Sequence, residues 1–151
     1  MTLFAKEKLV APEISYGGNF SYDSNGEYYS TTKIYGYIKK YNCPYSYEFL
    51  LGLLNSNLFW FFIQNTGYVL RGGYYTFKTN YVFPFPIPDY ETIDKKIVTM
   101  IENAVGDILN SKSKLPQDNI TSLTNSINEA VYRIYNMSSE DVKTIKLWAN
   151  L

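Results

Sequence analysis

The sequence predicts an α+β fold: a mixed β-sheet domain around a buried helix, followed by a C-terminal helical hairpin and a short last helix. Three observations carry this expectation. Aromatic and β-branched strand-like runs fill the first 88 residues, a strongly apolar helical run lies among them, and beyond them the hydrophobic period becomes that of amphipathic helices. The aromatics divide sharply, with all 9 Phe, 13 of the 16 Tyr and Trp60 preceding residue 89. The run Phe83-Pro-Phe-Pro-Ile-Pro88 marks the change, so the expected units are residues 1–88 and 89–151.

The elements follow in order. Phe20-Ser-Tyr22 and Glu27-Tyr-Tyr29 flank Asp23-Ser-Asn-Gly26, and an Asn-Gly step between aromatic runs predicts a tight hairpin. Lys33-Ile-Tyr-Gly-Tyr-Ile-Lys39 reads as a strand. Asn42-Cys-Pro44 breaks the chain, and Ser46 caps a helix running to about Gln64 that is apolar nearly all round. Within it Asn55, Ser56 and Asn57 are either hydrogen-bonded core polars or groups facing a partner. Tyr74-Tyr-Thr-Phe77 reads as strand again, and Pro84, Pro86 and Pro88 hold an extended connector.

Beyond the connector, Ile93, Ile97, Ile101, Val105 and Ile108 form one helical stripe, and Ile120, Leu123, Ile127, Val131 and Ile134 a second. Pro116 lies in the break. Ser138-Ser-Glu-Asp141 fits a capping box that opens a last helix through Val142, Ile145 and Trp148.

Composition excludes several kinds of chemistry. The chain has 151 residues, no histidine and only Cys43, so a zinc site, a histidine-based triad and a His-Asn-His nuclease are ruled out by inventory. A disulfide framework is ruled out too, which favours a reducing setting. Lys+Arg and Asp+Glu both total 14, so net charge names no partner. The start lacks a signal-peptide apolar region, and residues 49–63 are too short and too interrupted to span a membrane. A soluble, cytoplasmic protein is expected.

No phosphate-binding glycine signature and no Gly-x-Ser-x-Gly elbow occurs. Pro88-Asp89 with Asp94-Lys95-Lys96 superficially resembles a metal-dependent nuclease motif. Those carboxylates stand at a helix start, where acidic residues complement the macrodipole. Tyrosine-rich strands serve as half-buried sheet or as surfaces that stack on bases or sugars. The stretch VLRGGYYTFKTN, Val69 to Asn80, places the only arginine of the first 130 residues beside a glycine pair. Glycines permit positive φ and close backbone approach, and arginine offers a planar fork for guanine edges or phosphates.

Several stretches together resemble the TaqI-like C-terminal specificity domain of type II restriction–modification enzymes and adenine-specific DNA methyltransferases. They are LVAPEISYGGNFSYDSNGEYYSTTKIYGYI, the helix FLLGLLNSNLFWFFIQNTG with its Leu54-Asn-Ser56 step, LRGGYYTFKTNYVFPFPIP, and INEAVYRIYNMSSEDVKTIKLW. The resemblance implies a target-recognition module over residues 1–88, with residues 89–151 packing on it or on a catalytic domain. It implies double-stranded DNA as one partner and a methyltransferase catalytic domain or subunit as the other. Candidate DNA-contacting residues are then Arg71, Lys78, Asn80, Tyr74, Tyr75, Lys33, Lys39 and Lys40. Arg71 is assigned to backbone positioning or to anchoring the fold rather than to base readout.

The chain lacks an Asn-Pro-Pro-Tyr motif and a glycine-rich cofactor loop, so it is expected to be non-catalytic, with neither cofactor nor metal. The resemblance implies either an excised domain or a truncated gene product, and a start within the family's first strand favours excision. A rival reading is a protein-interaction module that docks a partner subunit through its helical segment.

Overall fold

A computed structural model describes residues 5–29, 32–111 and 114–149. The fold is α+β, with two small antiparallel sheets and six helices among the described residues. Strand β1 (Lys8–Pro12) is central to the first sheet, between β3 (Ser21–Asp23) and β4 (Ile34–Tyr37), and Leu9 pairs with both Tyr22 and Tyr37. Leu9 and Ala11 turn inward, while the β4 edge stays largely wet, as strand alternation requires.

The second sheet joins β2 (Ile14–Ser15) to β5 (Tyr75–Thr76). Glu13 links the two ladders. Its N–H donates to the Lys33 carbonyl at 2.8 Å, and its carbonyl accepts from the Phe77 N–H at 2.7 Å.

The predicted hairpin over residues 20–29 is not formed. Only its first arm is a strand, because the Asp23 carboxylate accepts the N–H groups of Glu27 (2.9 Å) and Tyr28 (3.0 Å) and curls the second arm into a loop. Gly26 keeps the positive φ the Asn-Gly step suggested, at +67°, and a Cβ there would lie 2.5 Å from the Ala5 carbonyl oxygen.

The buried helix is two helices, α1 (Tyr47–Leu54) and α2 (Asn57–Thr66). Ser46 caps α1 as expected, accepting from the Phe49 N–H at 3.1 Å. The break comes from the three polar residues. Ser56 caps the new helix by accepting from the Phe59 N–H at 3.2 Å, and its hydroxyl donates back to the Leu53 carbonyl at 2.6 Å. Asn55 holds the Phe20 backbone from both sides, accepting at 2.8 Å and donating at 2.9 Å. The Asn57 N–H donates to the Asn128 side chain at 2.8 Å. All three are structural polars, each with partners inside the chain.

A short α3 (Thr79–Val82) precedes the proline run, which the sequence reading left as extended chain. Phe85 in that run is buried against Phe59, Phe62 and Tyr135. Phe59 sits at the centre of the aromatic core, edge-to-face with Phe20, Phe77 and Phe85 at 5.1–5.9 Å.

The amphipathic stripes become α4 (Lys95–Ser111) and α5 (Gln117–Ile134), and the capping box opens α6 (Ser139–Trp148). Gly52 of α1 explains the close fit of α4. A Cβ at that position would stand 2.6 Å from Cγ2 of Ile101 and 3.3 Å from Cγ2 of Val105.

Candidate nucleic-acid interface

Residues 68–77 leave α2 as a narrow ribbon. Val69 bridges Tyr75, the Leu70 N–H donates to the Tyr74 carbonyl at 2.6 Å, and the Thr76 N–H donates to the Tyr68 carbonyl at 3.3 Å. The tip is the turn Leu70-Arg-Gly-Gly73, closed by the Gly73 N–H on the Leu70 carbonyl at 3.3 Å. Its third residue, Gly72, has φ +82°, the value a type II turn demands, and Gly73 follows at +79°. Added Cβ atoms there would meet the Tyr74 and Tyr16 rings at an ordinary 3.5 Å. Within the chain the glycine pair is therefore required by backbone conformation and not by crowding.

Arg71 occupies the exposed second position of that turn. It makes no hydrogen bond or ion pair with any described residue. The rings on either side of the ribbon behave differently. Tyr74 is 46% exposed and meets Tyr16 edge-on at 5.8 Å. Tyr75 turns inward, edge-on to the buried Trp60 at 5.3 Å, with its hydroxyl 3.4 Å from the Gln64 carbonyl.

The remaining candidates fall into two further groups. Lys33 and Lys78 come together at Glu13, which bonds the Lys33 carbonyl through its backbone and faces the Lys78 ammonium with its carboxylate at 3.9 Å. Asn80, exposed in α3, lies two residues beyond Lys78.

Lys39 and Lys40 lie past the far end of β4, about 20 Å from Lys33 if six residues extend at strand rise. Lys39 is occupied locally: its ammonium donates to the Tyr45 carbonyl at 2.9 Å and sits 4.6 Å from the centre of the Tyr47 ring. A cleft of about 650 Å³ opens there, lined in part by Tyr37, Lys39, Tyr45, Phe83 and Tyr90. Burial pushes the Tyr45 hydroxyl up to about 12, and it donates to the Pro88 carbonyl at 2.8 Å. Lys40 is exposed and its ammonium has no partner among the described residues.

One ion pair is fully buried. The Lys8 ammonium meets the Asp23 carboxylate at 2.5 Å, with both side chains almost wholly inaccessible. Burial alone pushes the Asp23 carboxyl up, but the Lys8 hydrogen bond and the Tyr28 and Glu27 N–H groups outweigh it and hold the value at about 2. This pair stabilises the sheet edge and takes no part in the candidate surface.

Sequence reasoning missed Tyr16, half-exposed beside Tyr74 and packed on Trp60 at 5.6 Å. A signal for it was present: Tyr16-Gly-Gly18 mirrors Gly72-Gly-Tyr74 across the β2–β5 ladder. No group of three or more His, Cys, Asp or Glu able to hold a metal ion occurs among the described residues. No helix among them is long and apolar enough to cross a membrane.

Comparison with known proteins places this geometry. Nothing among curated proteins matches the chain. Among solved structures, the type IIL restriction-modification enzyme MmeI, determined in complex with DNA, aligns with a TM-score of 0.67 at 18% identity. The alignment covers 97% of this chain and 22% of that one, so the chain spans about a fifth of the length of MmeI and shares its fold over that part. The sequence model of the TaqI-like C-terminal specificity domain matches residues 1–87. The resemblance noted within residues 127–148 lies beyond that match. The matched residues include both sheets, α1, α2 and the whole Arg71 ribbon, and the chain belongs to the TaqI-like C-terminal specificity domain family.

Proposed function

We propose that this chain recognises a DNA target for a restriction–modification enzyme and performs no chemistry itself. Its partners are double-stranded DNA and a methyltransferase catalytic domain or subunit. The observation that carries the reading is the unpartnered Arg71 at the tip of a ribbon within the matched specificity-domain residues. A major groove about 12 Å wide admits a two-stranded β-ribbon, and a guanidinium fork suits phosphate oxygens or a guanine edge. No described residue bonds the Arg71 side chain, which supports a role in positioning on phosphates. Lys33 and Lys78 extend the cationic surface at the Glu13 corner, and Lys40 adds an exposed cation at the far end of β4. Tyr75 and Lys39 are engaged inside the chain and contribute by holding the ribbon and the β4 end in shape.

Activity separates this reading from an enzyme. The purified chain is expected to transfer no labelled methyl group from S-adenosylmethionine to duplex DNA and to leave the DNA uncut. Methyl transfer by this chain alone would overturn the proposal. Retention of duplex DNA in a gel-shift assay at low salt is the positive counterpart.

A further inference from the structure

We infer that Tyr16 and Tyr74 form an aromatic platform for nucleobases, with Arg71 beside it to neutralise the attached phosphates. The inference rests on the DNA-recognition reading and deepens it by naming which chemistry contacts the bases. Tyr16 and Tyr74 remain about half accessible, at 51% and 46%. Tyr16 is backed by Trp60 at 5.6 Å and edged by Tyr74 at 5.8 Å, and Gly73 lies under it without a side chain to cover the ring. Tyr16, already packed on Trp60 and met edge-on by Tyr74, loses little further freedom on binding, which favours stacking.

Charge points to the class of ligand. The stretch from Ile14 to Tyr22 has no acidic residue, and the stretch from Gly67 to Asn80 carries Arg71 and Lys78 but none either. An apolar protein partner would not call for a bare arginine at the turn tip, whereas a phosphate-flanked base does. A base shows its π-face only where it is unstacked or unpaired, so the platform takes an unpaired base beside the duplex, with little dependence on sequence. The division of labour is then stacking from the tyrosines and charge from Arg71.

The test measures binding of the full chain to a duplex with a single-stranded overhang by fluorescence anisotropy across a salt series. Tyr16→Leu with Tyr74→Leu keeps an apolar cover over Trp60 and removes the rings. The double variant is expected to bind roughly ten- to a hundredfold more weakly with an unchanged log–log salt slope. Should it fail to fold, Tyr74→Leu alone serves, since that ring meets Tyr16 edge-on and is nearly half exposed. Its expected loss is severalfold, again without change of slope or melting temperature. Undiminished binding by the folded variants overturns the platform and leaves the surface to a protein partner. A weakening that only tracks a lower melting temperature also overturns it. If the unmodified chain binds no duplex at all, the DNA-recognition reading itself fails, an outcome distinct from binding that ignores the tyrosines.

Discussion

Arg71 and Asp23 show how differently two charged residues serve one chain. Arg71 is exposed and unpartnered, and the glycines after it exist because φ of +82° and +79° is costly for any residue with a Cβ. Arg71→Ala is therefore expected to change stability by no more than about 0.5 kcal/mol in chemical denaturation, as for surface changes generally. If Arg71 contacts a phosphate, the same variant lowers the log–log salt slope of duplex binding by about 0.9.

Asp23 is the opposite case, buried with Lys8. Its folded value of about 2 lies below the ordinary 3.8, so the group adds stability at pH above 3.8 and loses it as pH falls through 2. Asp23→Asn leaves the Lys8 ammonium buried without its counter-charge, a change that costs about 3 kcal/mol or more near neutrality. Melting curves of both proteins from pH 7 to 2 are expected to converge at the acid end; a constant gap would mean that the ionised pair is not what Asn removes.

At the scale of elements, legibility followed periodicity. The α4, α5 and α6 segments were readable because each has one apolar face and a polar remainder, and the Ser138–Asp141 box is formed as its spacing implied. The α1–α2 region was apolar on every side, so its pattern carried no phase in which a break would appear. Only the hydrogen bonds of Asn55, Ser56 and Asn57 reveal it, and the partners of the two asparagines, Phe20 and Asn128, are 35 and 71 residues away. The lost hairpin has the same origin, since Lys8, 15 residues distant, helps hold the carboxylate that bends the second arm.

Ile127 tests the helical packing directly. It is buried in α5 against Gly52 of α1, with its Cγ2 3.6 Å from where a Cβ would stand. Ile127→Asp buries a charge and is expected to destabilise by several kcal/mol in chemical denaturation. An unchanged midpoint would show that this face is solvated.

For the whole molecule, the proposed recognition surface was only partly visible in the sequence. Lys33, Lys39 and Lys40 share one strand-like stretch and read as a single group. The fold gives them different neighbours, because Lys39 turns its ammonium to the Tyr45 carbonyl while Lys33 lies at the other end of β4. Lys78 reaches Lys33 instead, through Glu13, a contact 65 residues apart that no local pattern encodes. Tyr16 became visible only when the β2–β5 ladder set it opposite Tyr74.

Target recognition requires sequence-selective binding, and phosphate contacts alone do not give that. The most direct measurement is repeated selection of a randomised duplex library by the purified 151-residue chain at low salt, read by sequencing. The account predicts that successive rounds enrich one short common site. A bound pool with the same base frequencies at every position as the starting library would contradict it.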